Sequence, residues 1–127
     1  MIAVDTSALM AIVLHEAAGG ACKAALDTDE SVLISAGTLA EALIVAGGRA
    51  VRNQMFDLVE SIGVEVVPVT DVSARRVADA HAKWGRRAKT AGLNFGDCFA
   101  YDVSKVNGCP LLYVGRDFAR TDIQSVL

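Results

Sequence analysis

Four acidic side chains stand where apolar segments begin, end or pass. Asp5 follows the apolar residues 1–4, and Glu41 is the one charge inside TLAEALIVAG. Asp97 opens a helical stretch, and Asp117 lies just past the apolar residues 111–114. Brought to one point, these carboxylates would repel one another, and each pKa would rise unless a cation neutralised the group. Hard oxygen ligands without His or Cys favour Mg²⁺, with Mn²⁺ as a substitute, over zinc. An ion held this way suits phosphodiester hydrolysis, because it lowers the pKa of a bound water and offsets charge on the phosphate in flight. Asp5 and Asp97 are then the main ligands, with Glu41 and Asp117 completing the shell or orienting the water. No side-chain nucleophile is required, and no Walker loop, GxSxG or dinucleotide fingerprint competes.

The segments that must position these groups alternate between strand and helix. Residues 1–4 are expected to form a buried parallel strand. Asp5-Thr6-Ser7 supplies N-cap chemistry for a helix from Ala8. Asp5 therefore has two readings, a helix cap or a ligand in the crevice at the strand's carboxyl end. Helical spacing over 16–27 is weakened by Gly19-Gly20, expected to mark a break. Residues 32–34 are the second strand. Glu41, in the helix that follows, must reach solvent or find a partner, since unpaired burial is costly. Gly47-Gly48 is expected to separate that helix from one over 49–62. Residues 64–69 are a third strand, with Pro68 marking its end or an edge. A helix over 72–84 places Val72, Val77 and Ala80 inward and Arg75, Arg76, Asp79 and Lys83 outward. Asn94, Gly96 and Asp97 turn into a helix over 98–106, stopped by Gly108, and residues 111–114 are the fourth strand. The alternation predicts an α/β fold in three layers, α/β/α. Its central sheet is mainly parallel, of four to five strands, within a single domain over 1–127.

With 53% apolar and 21% charged residues the chain is globular rather than disordered. No apolar run approaches the roughly 18 to 20 residues needed to span a bilayer, and the start lacks a basic leader and cleavage site. A soluble cytoplasmic protein is expected. Cys22, Cys98 and Cys109 are odd in number and lack CxxC spacing, which argues against a disulfide framework or zinc site. The net charge of −3 is unevenly spread. Residues 1–74 hold three basic and ten acidic side chains, whereas residues 75–105 hold seven basic and three acidic. That basic segment fits a phosphate-bearing ligand better than nonspecific DNA coating. Arg86, Arg87 and Lys89, in a Gly-bounded loop just before Asp97, are placed to hold a phosphate backbone. Arg49, Arg52 and Arg116 are further candidates, and plain solvation is the competing account.

DTSAL near the start, an isolated Glu in an apolar helix, LNFGDCFAY and then PLLYVGRDFARTD together resemble the PIN-domain ribonucleases. Within these the chain is most similar to the VapC-type toxins of VapBC toxin–antitoxin pairs. The resemblance covers the whole chain; NFGDCFAY followed by LLYVGxDFxxTD is its specific part, and DTSAL alone is weak. It implies a PIN-like fold, with Asp5, Glu41, Asp97 and Asp117 at the acidic metal-binding positions. Thr6 or Ser7 matches the small hydroxyl residue beside the first Asp, and Thr121-Asp122 the pair that supports the site. It further implies a magnesium-dependent endoribonuclease cutting structured RNA such as tRNA or rRNA. The implied partners are a second copy, higher assemblies, and a VapB-type antitoxin whose C-terminal segment reaches the active-site groove. DNA is met only through the antitoxin, and no membrane is involved. Two positions depart from the pattern. Asp102 perturbs the site if it faces inward and is surface charge if outward. Arg116 either contacts RNA or ties down a carboxylate.

Other function classes fit less well. A catalytically silent module holding RNA or protein on the same fold would not need all four acidic positions filled. A phosphoryl-accepting receiver predicts paired acids after the first strand and a Lys after the last, whereas Thr6-Ser7 and Arg116-Asp117 stand there. A flap nuclease needs a helical arch for which the chain has no spare length.

Overall fold

The computed structural model of the protein describes residues 1–88 and 91–127. Four short apolar segments, β1 (Ile2–Val4), β2 (Val32–Ser35), β3 (Glu65–Val67) and β4 (Leu111–Leu112), form one sheet in the order β3-β2-β1-β4. Every pairing is parallel. Ala3 of β1 stands opposite Leu33 on one side and Leu111 on the other, so β1 is the centre of the sheet. The order also creates a switch point. From β1 the chain moves outward through β2 and β3, then returns to place β4 on the opposite side of β1. A crevice opens at the carboxyl ends of two strands whose connections diverge.

Strands as apolar as β1, β2 and β4 must be covered on both faces, and they are buried throughout, whereas the edge strand β3 is largely exposed. Ile2, Val4, Val32, Ile34 and Leu112 point into a core with α1 (Thr6–Val13), α2 (Gly19–Thr28), α3 (Ala36–Gly48) and α4 (Arg52–Ile62). Ala3, Leu33 and Leu111 point the other way, into a core with α5 (Asp71–Trp84) and α6 (Phe95–Asn107). The three-layer arrangement expected from the sequence is therefore present. The edge of β4 is covered by a short final segment: Leu111 N–H donates to Gln124 O and Val126 N–H to Leu111 O. No helix among the described residues is long and apolar enough to cross a membrane. All three cysteines are buried and free.

Several boundaries differ from expectation for physical reasons. Gly19-Gly20 does not break a helix but begins α2. A Cβ on Gly19 would lie 2.5 Å from Ala11 O, so the glycine allows α2 to start hard against α1. Likewise α3 runs through Gly47-Gly48 and ends at Arg49, with Ala50 in the left-handed region at φ 58°. In α5 the expected inward Val72 is 64% exposed, whereas Ser73 is buried. Ser73 closes a capping box with Thr70 at the helix start, and its hydroxyl accepts from Thr70 N–H.

Arg76 was expected to face outward and does not. Its guanidinium makes a two-pronged contact with Asp102 of α6, Nε–Oδ1 2.7 Å and a second N–H to Oδ2 at 3.1 Å. Asp102 is buried and faces α5, where this pair neutralises it. Removing one partner of such a pair strands the other charge. Arg76→Ala is expected to lower stability, read as a fall in the urea denaturation midpoint, because it leaves the buried Asp102 without its partner. Joint replacement, Arg76→Met with Asp102→Leu, is expected to recover most of that loss.

Candidate functional site

The site is built at the carboxyl ends of β1 and β4. Asp5 directly follows β1 and is the N-cap of α1, its Oδ2 accepting from Ser7 N–H at 3.0 Å. Ser7 Oγ donates to the same oxygen at 2.6 Å and accepts from Val114 N–H at 3.0 Å, just past β4. One hydroxyl thus orients the first carboxylate and fastens the strand that leads to the fourth. Asp5 is both cap and site residue, so its two sequence readings are compatible. It is 4% exposed, and its second oxygen, Oδ1, is buried with no hydrogen-bond partner among the described residues.

Glu41 finds its partner in Thr6, whose hydroxyl donates to Oε1 at 2.6 Å. Thr6 and Ser7, alternatives in the sequence, therefore serve different carboxylates. The other oxygen of Glu41 lies against the first turn of α6. A Cβ built on Gly96 would come within 1.8 Å of Oε2.

Asp97 is the third residue of α6 and half of a reciprocal cap. Its Oδ2 accepts from Asn94 N–H at 3.0 Å, while Asn94 Oδ1 accepts from Asp97 N–H at 2.9 Å. A helix N-terminus favours negative charge, yet the Asp97 carboxyl is pushed up to about 7. Burial is the largest cause, and the charges of Asp5, Asp117 and Glu41 add to it against the pull of the Asn94 N–H. Burial likewise raises Asp5, with Ser7 pulling it back down and Glu41 pushing it up. The four carboxylates are thus close enough to feel one another. Asp117 sits on an exposed loop beyond β4, anchored by buried Phe118.

Donor chemistry and the orphaned Asp5 Oδ1 fit a hard divalent cation, with Asp5, Asp97, Glu41 and Asp117 as its holders. Among the described residues, no three His, Cys, Asp or Glu side chains are already gathered tightly enough to hold an ion as they stand. Asp117 is exposed on the adjoining loop. Fit is therefore a matter of donor type and position.

The supporting and basic residues divide. Asp122 accepts from the Tyr101 hydroxyl at 2.8 Å and pairs with Lys105 at 3.0 Å, while Tyr101 accepts from Trp84 Nε1–H at 3.0 Å. Thr121 donates to Phe118 O and accepts from Ile123 N–H. Asp122 thus fastens the Asp117 loop to α6, and Thr121 braces the loop internally; these bonds run to that scaffold and not to the carboxylates. Arg86 and Arg87 occupy an exposed 3₁₀ turn (Arg86–Ala88). Gly92 and Leu93 N–H groups both donate to Trp84 O, closing the basic loop onto the end of α5 immediately before Asn94. Lys89 lies outside the described residues. Arg116 is exposed beside Asp117, and Arg52 stacks over the Phe56 ring at 5.4 Å. Sequence reasoning missed Asn94 as a cap on the site carboxylate and Gly96 as a seat for Glu41. The spacing of Asn94 to Asp97 was the available signal for the first.

Comparison with known proteins agrees with this geometry. The PIN domain profile matches residues 2–124. Ribonuclease VapC30 of Mycobacterium tuberculosis is 35% identical over 126 residues, covering 97% of this chain and 96% of that protein. Ribonuclease VapC36 of the same organism is 38% identical over 125 residues, covering 95% and 90%. Among solved structures, Mycobacterium tuberculosis VapC20, described as a sarcin-ricin loop cleaving toxin, superposes with a TM-score of 0.81 at 20% identity, covering 99% and 98%. A toxin–antitoxin complex from Klebsiella pneumoniae superposes at 0.68 with 17% identity, covering 96% and 93%. A parallel sheet with its acids at the switch point and near-complete alignment to these relatives lead to one assignment: the chain belongs to the PIN domain family, within its VapC group.

Proposed function

We propose that the protein is a magnesium-dependent endoribonuclease, the toxin of a type II toxin–antitoxin pair, which cleaves structured RNA and so arrests translation and growth. The observation that carries this reading is geometric: Asp5, Glu41 and Asp97 are held by Ser7, Thr6 and Asn94 at the carboxyl end of the sheet, and Asp5 Oδ1 is buried with no hydrogen-bond partner among the described residues. Four carboxylates confined at a sheet's carboxyl edge make a poor site for an anion and a good one for a divalent cation. The ribonuclease names of relatives at 35–38% identity support the same class.

Bound Mg²⁺ supplies charge neutralisation and a more acidic water. Asp5 and Asp97, held by Ser7 and Asn94, provide the fixed oxygens. Glu41, held by Thr6, and Asp117 from its loop would complete the shell or orient the attacking water. Arg86, Arg87 and Arg116, all exposed, hold the RNA backbone. That one structural neighbour is a toxin–antitoxin complex supports a VapB-type antitoxin as partner. Assembly as a homodimer is part of the same proposal.

The deciding experiment is incubation of cellular RNA with purified protein in Mg²⁺, in Mn²⁺ and in EDTA. Discrete, metal-dependent fragments are expected; a folded protein that leaves RNA intact in every arm would refute the nuclease reading. Asp5→Asn and Asp97→Asn are each expected to lower cleavage on the order of 10²-fold or more, with the circular dichroism spectrum retained.

Asp97 also links metal to stability. A carboxyl whose folded pKa is raised binds its proton more tightly in the native state, so its contribution is present at low pH. It is lost as pH rises from the unfolded value near 4 to the folded value about 7. In EDTA, Asp97→Asn is therefore expected to gain stability over wild type as pH rises between those values, read as a higher urea denaturation midpoint. Added Mg²⁺ should raise the melting temperature of wild type and much less that of the variant.

For the basic turn, Arg86→Ala combined with Arg87→Ala is expected to weaken RNA binding. The slope of log K against log salt should flatten by about 1–2 units; an unchanged slope would reduce the turn to solvated surface.

A further inference from the structure

The first turn of α6 carries a glycine that its helix does not require. Gly96 is the second residue of α6, between Phe95 and Asp97, and its φ lies outside the left-handed region. Alanine is the better helix former there. Space is what forbids it. A Cβ at this position would stand 1.8 Å from Glu41 Oε2, 2.6 Å from Cδ and 3.1 Å from Oε1. Every one of these atoms belongs to the Glu41 carboxyl group. The obstruction is thus the far end of a flexible side chain, which can move away without disturbing the fold.

The same carboxylate has a second contact. Thr6 donates to Oε1 at 2.6 Å from the first residue of α1. Glu41 thus reaches from α3 both to a hydroxyl at the start of α1 and to bare backbone in the first turn of α6, one residue before Asp97.

We propose that Gly96 is a positioning residue of the site: its bare backbone admits the Glu41 carboxylate to the first turn of α6 and, with Thr6, fixes where that carboxylate stands relative to Asp97. The inference rests on the metal-dependent ribonuclease reading and specifies which contact sets its geometry. Phe95, in the same turn, is exposed and edge-on to the Phe99 ring at 5.0 Å.

Shortening the acid by one methylene offers a compensating change. Gly96→Ala, Glu41→Asp and the double variant are compared with wild type by Mn²⁺ titration followed by electron paramagnetic resonance, by RNA cleavage and by thermal melting. Gly96→Ala is expected to melt within a few degrees of wild type while binding Mn²⁺ and cleaving RNA about 10- to 100-fold less well. The double variant is expected to exceed Gly96→Ala in both binding and cleavage, because the methyl group then occupies space the shorter acid has vacated. A structural role for the glycine alone would not produce that rescue. Gly96→Ala with wild-type binding and cleavage would overturn the inference, as would a double variant no better than Gly96→Ala. Should Gly96→Ala fail to fold, recovery of folding by the added Glu41→Asp supports the contact, and its absence overturns it. A wild-type protein that neither binds Mn²⁺ nor cleaves RNA would remove the underlying nuclease reading as well. Normal wild-type behaviour beside an unimpaired Gly96→Ala would remove only the role of Gly96.

Discussion

Negative charge confined to a small volume is the constraint around which this fold is arranged. Asp5 is buried, Asp97 nearly so, and each is pressed by the carboxylates around it. Left to side-chain entropy and repulsion alone, such groups would turn to solvent. Each is instead held by a short, local donor: Ser7 for Asp5, Thr6 for Glu41 and Asn94 for Asp97. The donors are themselves parts of helix starts, so the capping that begins α1 and α6 also aims the acids. Stability of the local backbone and orientation of the charge are one set of bonds.

A second set of bonds keeps the more distant pieces in register. Trp84 at the end of α5, Tyr101 in α6 and Asp122 in the final loop form a continuous hydrogen-bonded chain, closed by Lys105. It joins the helix that leads to the basic turn, the helix that begins with Asp97 and the loop that carries Asp117. Arg76 and Asp102 add a further bridge between α5 and α6. These contacts lie on the outer side of α6, away from the carboxylates, and make that layer a rigid backing.

Much of this was legible in the sequence, and the limits are instructive. Short apolar runs such as VLIS and IAV announce strands buried on both faces, and their alternation with helices sets the parallel sheet. The four acids were visible because each interrupts or ends an apolar segment. Pairings across the chain were not. Asp102 and Arg76 are 26 residues apart on different helices, and no spacing rule joins them. Gly19 and Gly47 looked like helix breakers, yet Gly19 opens α2 hard against α1 and α3 runs on through Gly47. Gly96 resembled a turn residue because a requirement for empty space leaves no mark in local pattern. Val72 was misplaced because the capping serine, and not the valine, turns inward at the start of α5.

The distribution of cysteine has a practical consequence. Cys22 lies in the core on the α1–α4 side of the sheet, whereas Cys98 and Cys109 lie in the core on the α5–α6 side. Burial raises all three thiols, Cys98 to about 11 beside Asp97, so few thiolates are present near neutrality. Burial and raised pKa together predict slow reaction of the native protein with thiol reagents, so that labelling would record transient opening. Because the sheet separates the cysteines, tracing which one is modified distinguishes loosening of one helical layer from loosening of the other. The chain carries its own pair of site-specific reporters of breathing, with no engineered probe.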